Sequence, residues 1–278
     1  MSTKAPSSDP SPSTITVLVP AQLPPCKHRL TQQSPIASGG SCYIYPVTLC
    51  SQAAASTPLI AKVAKTPLHS VALIKEFEMT RHLGLRSLSC ELIPSRSVRG
   101  LSKGKMVIIM NHLEGQTLYN KYIAHPVNDF PLVPKVRRLA SHEKITSIAL
   151  STLRQLHSVH AQGVIHADVT PSNILQGRAT QLIDFGLARF TDPRKNLPIS
   201  FEGEVYEIAD TIVTREYRPP EAWLEQADKY GPQVDIWSLG CTLYELYMGD
   251  PLFTFRQSSD DHNRVVVLYK MVQELGQF

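Results

Sequence analysis

The reading of this chain turns on VIHADVTPSNILQGRATQLIDFG, residues 164–186. An apolar pair, Val164 and Ile165, leads into a polar loop. Ile174 and Leu175 then open a short strand, Gln176-Gly177-Arg178 supplies a turn, and Gln181-Leu182-Ile183 returns into Asp184-Phe185-Gly186. A hairpin of this kind brings Asn173 and Asp184 together, with Asp168 on the adjoining loop. Three oxygen-bearing side chains converging beside two apolar strands suit a metal–phosphate site. The plainer alternative is a solvated hairpin with incidental acids, and the combination of motifs argues against it.

H-A-D-x-x-x-x-N followed by D-F-G resembles, in spacing and order, the catalytic loop and magnesium loop of protein kinases. The resemblance implies an α+β fold of two lobes, a β-rich N-lobe and a helical C-lobe. It divides the chain into an N-lobe over 29–110 and a hinge with C-lobe over 111–278, the latter incomplete at its C-terminal end. It also implies ATP and Mg2+ as cofactors, with Asn173 and Asp184 on the metal. Asp168 would orient the substrate hydroxyl or take its proton, and His166 would support the loop.

Composition sets the wider bounds. The chain has 278 residues, 42% hydrophobic and 19% charged, ordinary for a folded protein with length enough for two lobes. A net charge of +4 weakly favours anionic ligands and does not point to nucleic acid. The five cysteines form no CxxC pair, so free thiols in a reducing compartment are expected. No apolar run approaches the ~20 residues that span a bilayer. The opening MSTKAPSSDPSPST lacks the apolar core of a secretory signal. The expectation is a cytoplasmic or nuclear monomer acting on a protein substrate, with no membrane or nucleic-acid partner.

Residues 1–28 are rich in Ser, Thr and Pro and bury little, so a mostly disordered tail is expected, with 14–19 able to pair as a stray strand. Residues 34–45 read as strand, Gly-rich turn and strand. Set against the kinase pattern GxGxxGxV, Ala37 and Cys42 replace the first and third glycines, Gly39 is the second, and Ile44 takes the final position. In the run 58–64 a lysine interrupts an apolar strand and must face solvent or find an anion, because unpaired burial is costly. Lys62 is the choice for the phosphate-binding lysine and Lys65 the alternative. Glu76, on the helical pattern 71–83, is its expected partner, with Glu78 as competitor. Met110 fits the gatekeeper position and Leu113 the hinge beside it. Together Ala37, Gly39, Ile44, Lys62, Glu76, Met110 and Leu113 are the nucleotide-binding set that the resemblance implies.

A Pro-rich basic insertion over 126–142 reads as surface, Lys135, Arg137 and Arg138 included. Ser141 caps a helix over 142–161 whose buried face is read as Ile145, Ile148, Leu153, Leu156 and Val159. His157 and His160 on that helix are read as surface residues. Further on, Thr214-Arg215-Glu216-Tyr217-Arg218-Pro219-Pro220-Glu221 resembles the end of an activation segment in the CMGC group (cyclin-dependent, MAP and related kinases). That places the Thr214 hydroxyl on Asp168, relates Arg215 to proline-directed choice, and implies that Glu221 lacks the arginine partner a longer C-lobe would supply. Asp235 matches the buried aspartate that steadies the catalytic loop, with a helix-start cap as alternative. The splicing-associated and dual-specificity tyrosine-regulated kinases share features with this stretch.

Two departures lie inside the catalytic loop. Ala167 stands where kinases carry an arginine that receives an activation-segment phosphate, so switching through Thr211 is not expected. Thr170 stands in place of a lysine that contacts the transferring phosphate, a loss of about 2–4 kcal/mol of charge stabilisation. The resemblance therefore implies a protein serine/threonine kinase of reduced rate, with an ATP-binding pseudokinase or scaffold as the alternative.

Overall fold

The computed structural model describes residues 15–16, 28–32, 34–49, 58–85, 90–95, 98–99, 105–124, 140–196, 198–201, 204–206, 213–224, 230–254 and 260–276. Residues 126–139 of the basic insertion, Thr211 and most of the N-terminal tail lie outside these residues.

Within the tail, Ile15–Thr16 forms a strand, β1. The N-lobe sheet then takes β2 (His28–Leu30), β3 (Ala37–Ser38), β4 (Cys42–Leu49), β5 (Leu59–Ala64), β6 (Cys90–Pro94), β7 (Val98–Arg99) and β8 (Met106–Asn111). Their order is β6-β8-β5-β4-β2-β7, with β3 paired to β4. Opposed residues in an antiparallel pair share a face. Ile44, Lys62 and Ile108 therefore form one row, since Lys62 lies opposite both of the others. That face joins Cys42, Ala64, Ile108 and Met110 to Leu73, Met79 and Phe185. The other face packs Val47, Ala61, Val63, Val107 and Ile109.

Helix α1 (Pro67–His82) crosses the first face. Thr66 caps it, its side chain accepting from His69 N, and a proline in the first turn loses no bond the helix needs. Leu73 and Ile74 are buried, and Ser70 Oγ accepts the Met106 amide (3.1 Å), tying α1 to β8.

Beyond the hinge, β9 (Gln116–Thr117) pairs with β11 (Ile174–Gln176), which forms a hairpin with β12 (Thr180–Leu182). Two glycines let these strands cross. Gly115 sits at φ +146°, and a Cβ there would lie 2.7 Å from the Gln176 carbonyl oxygen. At Gly177 a Cβ would lie 1.9 Å from the Glu114 carbonyl oxygen, so both positions require glycine.

Helix α2 (His142–His160) is capped by Ser141, whose hydroxyl accepts from Lys144 N. Its buried positions are Ile148, Thr152, Leu156 and Val159. Leu153, expected inside, is 40% exposed. Ile148, Leu156 and Val159 are buried as read and Ile145 packs against them, but between them Thr152 faces the core in place of Leu153. After β10 (Val164–Ile165) and its partner β13 (Arg189–Phe190), the chain forms the hairpin β14 (Ile199–Phe201) and β15 (Glu204–Tyr206). The short α3 (Pro220–Trp223), the buried α4 (Gln233–Met248) and α5 (Asp260–Leu275) complete the described C-lobe. α4 ends at Gly249, in the left-handed conformation that glycine adopts freely. Among the described residues Cys42 and Cys241 are free buried thiols, and no helix is long and apolar enough to cross a membrane.

Candidate active site

Lys62 is 6% exposed, and burial of an unpaired ammonium would be costly. The fold resolves this with two carboxylates. Lys62 Nζ donates to Glu76 Oε2 (2.6 Å) and lies 2.9 Å from Asp184 Oδ2. Burial opposes its charge, but Asp184 and Glu76 outweigh it and keep the amine protonated well above its usual range. Burial pushes the Glu76 carboxyl up to about 7 against the pull of Lys62. For Asp184, burial is again opposed by Lys62, and the carboxyl ends below its ordinary value.

The competing residues are occupied elsewhere. Lys65 Nζ lies 4.9 Å over the Tyr43 ring, and Glu78 pairs with Arg81 (3.0 Å) on the same turn of helix. Met110 is buried in the cluster beneath α1, with Leu113 packed against it, so both stand where the hinge meets the cleft. The Gly-rich turn is exposed, and Ala37 pairs with Ile44 across it. The Gly39 amide donates to the Cys42 carbonyl (3.0 Å) and closes the turn, so it is not left for a ligand. Burial pushes the adjacent Cys42 thiol up to about 11.

Asp168 sits between two anchors. Asn173 Nδ2 donates to its Oδ2 (2.6 Å) and its backbone carbonyl (3.0 Å), and Thr214 Oγ1 donates to its Oδ1 (2.6 Å). Burial raises the Asp168 carboxyl, and the Thr214 hydroxyl partly offsets this. With its amide nitrogen committed to Asp168, Asn173 offers its amide oxygen outward as a hard ligand. Together with the Asp184 carboxylate it makes a donor set suited to Mg2+, which takes one or two protein oxygens and completes its shell with phosphate and water.

The loop is held from below by Asp235, which is fully buried. Its carboxylate accepts from His166 N (2.8 Å) and Ala167 N (2.8 Å) and from His160 Nε2 (2.7 Å). His160 is thus no surface residue; it lies under the catalytic loop, while His157 is exposed. His166 donates from Nε2 to the Ile183 carbonyl (3.2 Å), accepts the Asp168 amide at Nδ1 (3.3 Å), and packs on Phe185 at 4.7 Å between ring centroids. From α4, Thr242 Oγ1 donates to the Val169 carbonyl (3.0 Å).

Among the described residues, three non-glycine positions have positive φ: Ala167 (61°), Asp184 (64°) and Val213 (68°). Each is a strained conformation that the surroundings must impose. Ala167 is held by Asp235, and Asp184 by Lys62 together with the Gly186 amide, which donates to Asp184 Oδ1 (3.2 Å). Val213 is held by Arg218, whose Nη2 (2.9 Å) and Nε (3.2 Å) both donate to its carbonyl while the guanidinium stacks over Trp223 at 4.7 Å. Arg215, the arginine singled out from the sequence, is exposed.

Residues 47–275 match the model of the protein kinase domain. Among curated relatives, the mitogen-activated protein kinase HOG1 of Debaryomyces hansenii is 33% identical over 61% of this chain and 42% of its own length. The mitogen-activated protein kinase sty1 of Schizosaccharomyces pombe is 33% identical over 62% of this chain and 48% of its own. This chain therefore spans less than half the length of either. Among solved structures, a chain of the CAK complex of Chaetomium thermophilum bound to ATP-gamma-S superposes with a TM-score of 0.60 over 89% of this chain and 68% of that one, at 20% identity, a likeness of fold. The domain match over most of the chain shows that it belongs to the protein kinase family, and its mitogen-activated protein kinase relatives give it CMGC-like character.

Proposed function

We propose that this chain is an ATP- and Mg2+-dependent protein serine/threonine kinase. The observation that carries the reading is the hydroxyl seat on Asp168: Thr214 Oγ1 lies 2.6 Å from one carboxylate oxygen while Asn173 fixes the other. A substrate hydroxyl entering beside Thr214 finds an acceptor already aimed. Asp168, with its basicity raised by burial, takes the proton as the hydroxyl oxygen bonds to the γ-phosphorus and the bond to the β-phosphate oxygen breaks. Lys62, fixed by Glu76, holds the phosphates, and Asn173 and Asp184 hold the metal. Magnesium would supply charge neutralisation along the phosphates. Thr170, 5% exposed, brings no positive charge to this step, so a modest rate belongs to the proposal.

The same site supports a preference for proline directly after the phosphorylated residue. Val213 adjoins Thr214, and its carbonyl, the natural acceptor for the next substrate amide, is taken by Arg218. Proline has no amide hydrogen to leave unpaired. A monomer in the cytoplasm or nucleus, acting on protein hydroxyls, completes the proposal.

The enzyme and scaffold readings separate in one experiment. Mg2+–ATP should raise the melting temperature of the chain, and the same sample should phosphorylate a generic basic protein on serine or threonine. A thermal shift without transfer would establish the scaffold instead.

A further inference from the structure

β14 is the inner strand of a small sheet in the order β1-β14-β15. One edge of β14 pairs with β15, and the other accepts the N-terminal strand in parallel, Ile15 opposite Ile199 and Thr16 opposite Ser200. β14 also reaches the N-lobe. Ile199 is 1% exposed and packs with Ile74 and Met106, with Val71 and Leu92 against the same cluster. Ile74 lies two positions before Glu76 on α1, and Met106 begins β8, whose Ile108 lies opposite Lys62. Ile199 therefore touches α1, which carries Glu76, and β8, the neighbour of the strand that carries Lys62.

We propose that residues 15–16 act as a strap: by completing the edge of β14, the N-terminal strand holds Ile199 against α1 and so keeps the Lys62–Glu76 bond closed. A strand edge left unpaired loses backbone bonds and opens locally, and local opening at β14 frees Ile199 from α1. The side chain between His166 and Asp168 is the methyl group of Ala167, so no cation orders the segment from the catalytic loop at that position. Strand addition does the holding by hydrogen bonds. The consequence for transfer rests on the kinase reading above; the coupling of β1 to α1 does not.

The test uses the full chain carrying Ile15→Pro and Thr16→Pro, which removes the two N–H groups of the strap and leaves both lobes untouched. Amide hydrogen exchange is followed at Ile199–Phe201 and at residues 70–78. Both regions should exchange about tenfold faster than in the parent chain, the scale of a modest shift in local opening, while β5 and β8 stay protected. A synthetic peptide spanning residues 11–20, added in excess, should restore protection in both. Ile199→Ala should speed exchange in α1 with the strap intact. Unchanged exchange at β14 in the proline variant overturns the strap, and faster exchange at β14 with α1 unaffected overturns the coupling. If the parent chain transfers no phosphate, the kinase reading fails, and the exchange results still decide the strap.

Discussion

Substrate choice offers a sharp test, because the cost can be worked from one carbonyl. The perturbation is in the substrate: two peptides identical except for proline or alanine after the phosphorylated serine. In the proposed binding mode the amide following that serine in the alanine peptide would meet the Val213 carbonyl, which already accepts from Arg218 at 2.9 and 3.2 Å. A buried unpaired amide costs about 1–3 kcal/mol; beside the exposed Thr214 the lower half applies, about 1–2 kcal/mol, or roughly 5–30-fold in kcat/KM. The assay is steady-state phosphorylation of both peptides at subsaturating concentration. A second arm uses Arg218→Met, which keeps an apolar contact for Trp223 and releases the Val213 carbonyl; the ratio should then fall towards one. Equal kcat/KM for the two peptides in the parent chain refutes the reasoning.

Three further outcomes follow from the supporting structure. Asp235→Ala leaves the buried amides of His166 and Ala167 without their acceptor, at about 1–3 kcal/mol each, and calorimetry should show melting lowered by about 10 °C. Lys75 is half-buried, its Nζ 3.5 Å from the Leu187 carbonyl, and desolvation first, then the Arg189 charge, lowers its amine to about 8 from 10.5. Between those values the unfolded chain binds the extra proton, so Lys75 contributes stability that rises with pH from about 8 to 10.5. Urea denaturation at pH 8 and 10 should show this rise reduced in Lys75→Met. Burial pushes the Cys42 and Cys241 thiols up to about 11 and about 12, so peptide mapping after iodoacetamide treatment at pH 7.5 should find both unmodified in the native chain and modified in urea.

The parts of the site legible in the sequence are those written into short motifs. Asp168, Asn173 and Asp184 lie on one loop and hairpin, so their convergence follows from local geometry. The choice of Lys62 over Lys65 rests on the family pattern, and the structure supplies the physical reason: Lys62 shares a face with Ile44 and Ile108. His160 was misread because its partner, Asp235, is 75 positions away and a helix pattern cannot register a distant carboxylate. A tandem reading of α2 and Asp235 as facing elements would have found it. Leu153 is misplaced because an apolar side chain outranks a threonine in an amphipathic pattern, whereas the inward position, four after Ile148 and four before Leu156, is Thr152. Val213 and Arg218 carry no composition signal; their significance is a backbone angle and the bond that holds it. The pairing of Ile15–Thr16 with β14 was out of reach for the same reason: two residues of parallel strand have no turn to announce their partner.

The most direct measurement is transfer of labelled γ-phosphate from Mg2+–ATP to serine or threonine, comparing the parent chain with Asp168→Asn at matched folding. Asparagine nearly preserves the shape of the side chain that meets Thr214 and Asn173 but cannot take the hydroxyl proton. Loss of general-base assistance predicts a rate at least about 100-fold lower with ATP affinity retained. Equal transfer by the two chains would contradict the assignment of Asp168 and, with it, the kinase mechanism proposed for this cleft.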